Sequence, residues 1–236
     1  MGKKKLKRFK EVETFNNVFQ PKYDEILNKN FKLKGKWNSL HFKNNNPIIL
    51  ELGCGKGEYT VGLAQMSSDK NFIGIDIKGA RMWKGAKTAN EKNINNLVFI
   101  RTRIEFINSF LSENEVDEIW ITFPDPQLKK YRTKKRLTSS RFLNSYKSII
   151  KNNGIIHLKT DNKLLYEYTL AIIKKNRLNI LENTNDLYKS SIFNEILSIK
   201  TFYELQYLEK GQNIHYIKFQ LNNSSPIVEP DIVYRI

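Results

Sequence analysis

Four acidic residues stand at the ends of short apolar runs, where a carboxylate can be presented to a ligand. They are Glu51 in Pro47-Ile48-Ile49-Leu50-Glu51-Leu52, Asp76 in Asn71-Phe72-Ile73-Gly74-Ile75-Asp76, Asp125 just past Glu118-Ile119-Trp120-Ile121-Thr122-Phe123, and Asp161 just past Gly154-Ile155-Ile156-His157-Leu158. The first run leads into Gly53-Cys54-Gly55-Lys56-Gly57, followed by Glu58. Glycines let a backbone turn tightly and approach a ligand. A dinucleotide-binding loop would require glycine at 58, and a carboxylate there repels a pyrophosphate. S-adenosylmethionine carries a sulfonium and an ammonium but no phosphate, so the loop suits it better than NAD. An acid at the end of the second run, such as Asp76, can accept hydrogen bonds from both ribose hydroxyls. The structural alternatives are an ordinary strand–helix turn for Gly53 to Gly57 and a helix cap for Asp76. Cys54 reads as a small buried filler rather than a nucleophile.

The other two acids point to a reaction end. In Phe123-Pro124-Asp125-Pro126, two prolines fix φ on either side of Asp125, which makes a stiff segment that aims one carboxylate; the structural alternative is a proline-flanked turn aspartate. The basic run Gln127-Leu128-Lys129-Lys130-Tyr131-Arg132-Thr133-Lys134-Lys135-Arg136 follows, with Arg141 beyond it. Cations interleaved with an aromatic suit a phosphate backbone and a stacked base; the alternative is a solvated charge run. In Lys159-Thr160-Asp161-Asn162, Asp161 or Asn162 serves either to cap a helix or to touch a substrate. Thr201-Phe202-Tyr203-Glu204 has the spacing of a capping box, although its flanks look strand-like.

The elements needed to hold these groups are legible. The four apolar runs named above and Asn96-Leu97-Val98-Phe99-Ile100 between them alternate with helix-compatible stretches at Arg81–Lys92, Arg141–Lys151 and Lys163–Lys175. That alternation predicts a mostly parallel sheet with helices on both faces. Phe202–Tyr207 and Ile214–Phe219 read as two more strands joined at Lys210-Gly211-Gln212, giving seven strands with a C-terminal antiparallel hairpin. In such a sheet, ligands sit outside the carboxyl ends of the strands, so one crevice can collect Glu51, Asp76, Asp125 and Asp161. Residues 1–45 read as a basic, irregular arm with a lead-in helix near Tyr23–Leu27, and residues 46–236 as the catalytic domain.

Composition sets the outer bounds. The 236 residues suffice for one α/β domain, and 40% hydrophobic content argues for a packed core. A formal charge of +16, from 40 basic and 24 acidic residues, points to a polyanion as partner, with base composition of the genome as the alternative source of the lysines. One cysteine excludes an internal disulfide, and three scattered histidines argue against zinc. No apolar run approaches a membrane span, and Met1-Gly2-Lys3-Lys4-Lys5-Leu6-Lys7-Arg8 lacks the apolar stretch of a signal peptide. A cytoplasmic protein acting away from membranes is expected, as monomer or homodimer, without an obligate protein partner and without a metal.

Taken together, these residues resemble the bacterial tRNA (guanine-N7-)-methyltransferase family, from about Pro47 to Phe219. The specific pieces are Glu51 to Gly57, Gly74-Ile75-Asp76, Phe123 to Pro126, Lys159-Thr160-Asp161 and Thr201 to Glu204. The resemblance implies a Rossmann-like methyltransferase fold, with S-adenosylmethionine held by Glu51, Gly53, Gly55 and Asp76. It implies that Asp125 is the essential carboxylate between cofactor and guanine. Lys129, Asp161, Thr201, Phe202, Tyr203 and Glu204 are implied to contact the tRNA. Three positions depart from the family pattern. Asp76 stands where many members have glutamate, and Gln127-Leu128 replaces a frequent Trp-Pro. Arg103 falls where many members carry an acid that meets the adenine amino group. Arginine cannot accept that hydrogen bond, so a backbone carbonyl or Glu105 is expected to take the role. The competing readings are a methyltransferase on another RNA, on a protein or on a small molecule; a non-catalytic RNA-binding protein with a vestigial pocket; and, disfavoured by Glu58, an NAD oxidoreductase.

Overall fold

A computed structural model describes residues 3–28, 31–222 and 225–231. In chain order its elements are α1 (Lys3–Val12), β1 (Val18–Phe19), α2 (Tyr23–Leu27), β2 (Ile48–Leu52), α3 (Glu58–Met66), β3 (Asn71–Asp76), α4 (Gly79–Glu91), β4 (Leu97–Arg101), β5 (Val116–Thr122), α5 (Ser140–Lys147), β6 (Ile150–Thr160), α6 (Lys163–Lys175), β7 (Ile180–Thr184), α7 (Phe202–Glu209) and β8 (His215–Leu221), with short 3-10 and π turns between them. Among the described residues the sheet has eight strands in the order β1-β4-β3-β2-β5-β6-β8-β7. Neighbours are parallel from β1 through β6, and β8 is antiparallel to both β6 and β7.

The central strands are buried on both faces, which is why they read as unbroken apolar runs. On one face Leu50, Leu52, Ile73, Ile75, Val98 and Ile100 join the larger core; on the other Ile49, Phe72 and Phe99 pack against Met82, Ala86 and Ala89 of α4. The chain leaves β2 toward β3 and β4 on one side and later returns to β5 on the other. The crevice therefore opens where β2 and β5 lie side by side, at their carboxyl ends.

Three details differ from the sequence reading. Phe202–Glu209 is a helix, because the Thr201 hydroxyl accepts the Glu204 N–H (3.1 Å) and the Glu204 carboxylate accepts the Thr201 N–H (3.4 Å). This reciprocal cap satisfies two otherwise orphaned donors and overrides the strand-like flanks. The antiparallel neighbour at the C-terminal end is instead Ile180–Thr184, which takes the place of the expected strand, and β1 (Val18–Phe19) is the eighth. The N-terminal stretch is also not irregular. Helix α1 lies against α4, where Trp83 Nε1 donates to Glu11 (2.9 Å) and the Arg8 guanidinium sits 4.6 Å from the Trp83 ring. Beyond it, β1 extends the sheet beside β4.

Candidate active site

The crevice is a cavity of about 690 Å³. Its floor begins at β2. Glu51 is buried and accepts hydrogen bonds from the hydroxyls of Thr60 and Thr122, one on α3 and one at the end of β5. Burial pushes its carboxyl up to about 7, although both threonine hydroxyls oppose the shift. The loop after β2 is tied to the next strand: Gly53 and Cys54 donate to the Ile75 carbonyl at 2.8 and 3.1 Å. Gly53, Gly55 and Gly57 all have positive φ (78°, 55° and 72°), a region that L side chains rarely adopt. Gly85 of α4 serves close approach instead. A Cβ there would stand 2.7 Å from the Lys56 carbonyl oxygen and 2.9 Å from Gly57 Cα, so only glycine lets the helix press on the loop.

Asp76 closes this end. One oxygen accepts the Gly55 N–H (3.0 Å) and the other the Lys78 N–H (2.7 Å), while its carbonyl accepts Thr102 N–H (3.1 Å). Each carboxylate oxygen keeps lone-pair capacity for a hydroxyl from the cavity. Thr102, Arg103 and Glu105, all from the turn after β4, line the same rim. Thr102 is buried, and among the described residues its hydroxyl has no hydrogen-bond partner. A buried polar atom of this kind calls for a partner.

Across the cavity, Phe123–Gln127 forms a stiff bend. Phe123 donates its N–H to the Lys159 carbonyl (2.8 Å), and Gln127 N–H donates to Asp125 Oδ1 (3.0 Å). Phe123 and Gln127, which flank Pro124-Asp125-Pro126, both have positive φ (47° and 48°). Non-glycine residues in that region cost about 1–3 kcal/mol each, and such strain gathers at functional sites. Asp125 itself is exposed at the cavity wall. The Phe123 ring stacks on Tyr207 of α7, with centroids 5.9 Å apart. Asp161, at the end of β6, also faces the cavity, and burial raises its carboxyl above the usual range.

The cavity thus brings together Glu51, Gly53, Gly55, Asp76, Arg103, Asp125, Asp161, Thr201 and Tyr203. Three expected contacts lie elsewhere. Lys129 is exposed just beyond the bend. Phe202 is exposed at the rim, with the Lys56 ammonium 3.3 Å above its ring. Glu204 points away from the cavity and is fully buried. Its carboxylate pairs with the equally buried Lys159 ammonium (2.8 Å) and accepts the Tyr188 hydroxyl (2.7 Å). Lys159 also donates to the carbonyls of Leu197 and Ile199 at 2.8 and 3.0 Å. The pair therefore fixes the start of α7, from which Tyr203 and Tyr207 reach the cavity. Sequence reasoning missed Thr102, Tyr207 and the Lys159–Glu204 pair. It also grouped Arg136 with the exposed basic run, yet Arg136 is buried while Lys129, Lys130, Tyr131, Arg132, Lys134 and Lys135 are exposed.

A glycine loop at the carboxyl end of the first central strand, an acid at the end of the next, and a carboxylate presented at the switch point define a class I methyltransferase. Solved structures with this fold include the 16S rRNA methyltransferase KamB (12% identity, TM-score 0.60, 80% of this chain and 94% of that one) and a SAM-dependent methyltransferase from Aquifex aeolicus (14%, TM-score 0.53, 92% and 98%). A family model described as "Putative methyltransferase" matches residues 45–217. Relatives named tRNA (guanine-N(7)-)-methyltransferase include those of Christiangramia forsetii (56% identical, 93% of this chain and 99% of the relative) and Bacteroides fragilis (50%, 98% and 91%). The chain belongs to the tRNA (guanine-N7-)-methyltransferase family.

Proposed function

We propose that this protein transfers a methyl group from S-adenosylmethionine to N7 of a guanine in the variable loop of tRNA, in the cytoplasm. The observation that carries the reading is the 56% identity to a relative of that name over nearly the whole length of both chains. The cavity fits the methyl donor. It offers glycine backbone and acidic groups where a phosphate would be repelled. Glu51, the Gly53–Gly57 loop and Asp76 would hold the donor, whose sulfonium supplies an electrophilic methyl group. Thr102, Glu105 and the backbone around Arg103 would meet its adenine.

Guanine N7 carries a free lone pair, so no side chain has to remove a proton. The protein's work is to hold the nucleophile in line with the methyl carbon. Asp125, held by the strained bend, orients the guanine edge and stabilises the positive charge that develops on the purine. Asp161 and Tyr207 line the same wall and help to seat the base, which must leave its stack to enter. The exposed run from Lys129 to Lys135, with Arg141, grips the phosphate backbone.

Unmodified tRNA incubated with methyl-labelled donor and then digested should yield label in 7-methylguanosine. Label in another nucleoside would retain RNA methylation and discard the target atom. Asp125→Asn should lower turnover by two orders of magnitude or so at saturating donor and tRNA, as expected for loss of one preorganised electrostatic group. Normal turnover in that variant would remove Asp125 from the chemistry.

A further inference from the structure

Arg136 sits at the end of a run of exposed cations but is only 3% exposed. Its Nε donates to the Pro126 carbonyl at 3.0 Å, and an Nη donates to the Gln127 carbonyl at 3.4 Å. Its guanidinium carbon lies 4.3 Å from the centroid of the Tyr168 ring. The Tyr168 hydroxyl donates to Glu229 (2.7 Å), and Glu229 accepts the Ser140 N–H at the start of α5 (2.9 Å). The guanidinium is therefore anchored to α5 and α6 on one side and holds two consecutive carbonyls of the aspartate bend on the other. Those carbonyls follow Asp125 directly and flank the second strained residue, Gln127 (φ 48°).

We propose that Arg136 is a positioning residue for methyl transfer: it pins the Phe123–Gln127 bend in its strained form and so fixes where the Asp125 carboxylate points. The inference rests on the proposed role of Asp125. Two backbone positions at φ near +50° relax unless neighbouring structure holds them. A planar fork that donates to two adjacent carbonyls while lying on an aromatic face is a task for arginine that lysine cannot reproduce. Arg136 then differs in kind from Lys134 and Lys135. They act on the tRNA backbone from outside, whereas Arg136 never meets it.

Arg136→Lys keeps the charge but loses the fork. At saturating donor and tRNA its kcat should fall by about 10- to 100-fold, the range expected when a reacting group is misplaced by an ångström or so. Tyr168→Leu, which removes the aromatic support and leaves Arg136 in place, should lower kcat in the same direction by a smaller factor and keeps the test open if Arg136→Lys folds poorly. Two further readouts separate positioning from RNA contact and from general loss of structure. The log–log salt slope of tRNA binding should match that of the wild type, because no phosphate contact is lost. Amide exchange at Asp125 and Gln127 should quicken several-fold, while exchange in β2 and β3 stays unchanged. Free guanidinium should restore part of the turnover of Arg136→Ala. Wild-type kcat in Arg136→Lys, or a loss confined to tRNA binding with a flatter salt slope, would overturn the proposal. If the wild-type protein itself fails to form 7-methylguanosine, the functional reading fails instead. Amide exchange then decides the pinning of the bend alone, and unchanged exchange at Asp125 and Gln127 would overturn it.

Discussion

Glu51 couples the stability of the fold to the charge of the ligand its cavity takes. Burial lifts its carboxyl from 4.5 to about 7. Between those two values the unfolded chain has released the proton and the folded chain has not, so stability falls as pH rises through the window and levels off above it. The gap of 7 − 4.5 corresponds to roughly 3 kcal/mol at about 1.4 kcal/mol per pH unit. For a domain of this size that is a difference of roughly 6–12 °C in melting temperature. Glu51→Gln is the perturbation, because an amide still bonds the hydroxyls of Thr60 and Thr122, which rotate to donate or accept. Melting temperatures of wild type and variant, measured from pH 4.5 to 8, should diverge steadily in favour of the variant up to about pH 7 and then run parallel. Differences between the two proteins cancel the other groups that titrate in this range. The ligand arm is independent. A cationic donor beside Glu51 favours the carboxylate, so binding releases a proton near neutral pH, and affinity should rise from pH 6 to 8 in the wild type and stay flat in the variant. Calorimetry in two buffers of different ionisation enthalpy reads the proton directly. A melting difference that does not change with pH would refute the raised carboxyl, and a pH-independent affinity in the wild type would refute the placement of the donor's charge.

Lys134→Ala with Lys135→Ala should flatten the log–log salt dependence of tRNA binding by roughly 0.7–0.9 per lost phosphate contact, as read by filter binding between 50 and 300 mM salt; an unchanged slope removes both from the interface. Glu204→Ala leaves the Lys159 ammonium buried without its carboxylate and should cost about 3–5 kcal/mol in denaturant unfolding. Lys159→Met combined with Glu204→Leu should recover most of that loss. The double variant should still turn over slowly, because the carbonyls of Leu197 and Ile199 lose the donor that sets the start of α7.

The legible part of this protein is the part whose physics is local or strictly periodic. The central strands announce themselves because a strand buried on both faces has to be apolar at every position, and the glycine loop does so because three residues at positive φ in five tolerate almost nothing else. Asp125 stands out because two prolines flank it. The β7 strand at Ile180–Thr184 was missed for the converse reason: it is an edge strand with mostly exposed or half-buried residues, and its pairing depends on a neighbour more than thirty residues away. At Phe202–Tyr207, aromatic and alternating character argued for a strand and the Thr-x-x-Glu cap for a helix. The cap prevailed because its hydrogen bonds replace ones that water would otherwise have to supply.

Charge is where sequence reading is weakest, and the reason is geometric. Lys135 and Arg136 are adjacent, similar in chemistry and part of one basic run, yet one faces solvent and the other is buried against Tyr168. What separates them is a short 3-10 turn over Lys130–Lys135 that ends at Arg136 and turns its side chain inward, toward carbonyls presented by a bend ten residues earlier. Lys159 and Glu204 repeat the pattern at longer range: each sits in a motif that the family resemblance assigns to substrate, and each spends its charge on the other. A buried ion pair is a poor source of net stability, since desolvation consumes most of the attraction. Its retention beneath α7, like that of Arg136 beneath the aspartate bend, is better understood as fixing position. Both pairs of contacts hold backbone that would otherwise be free to choose, and both do so directly behind residues that face the cavity. The charges that reach the ligand and the charges that aim them therefore lie side by side in the sequence, and only the turn between them tells the two apart.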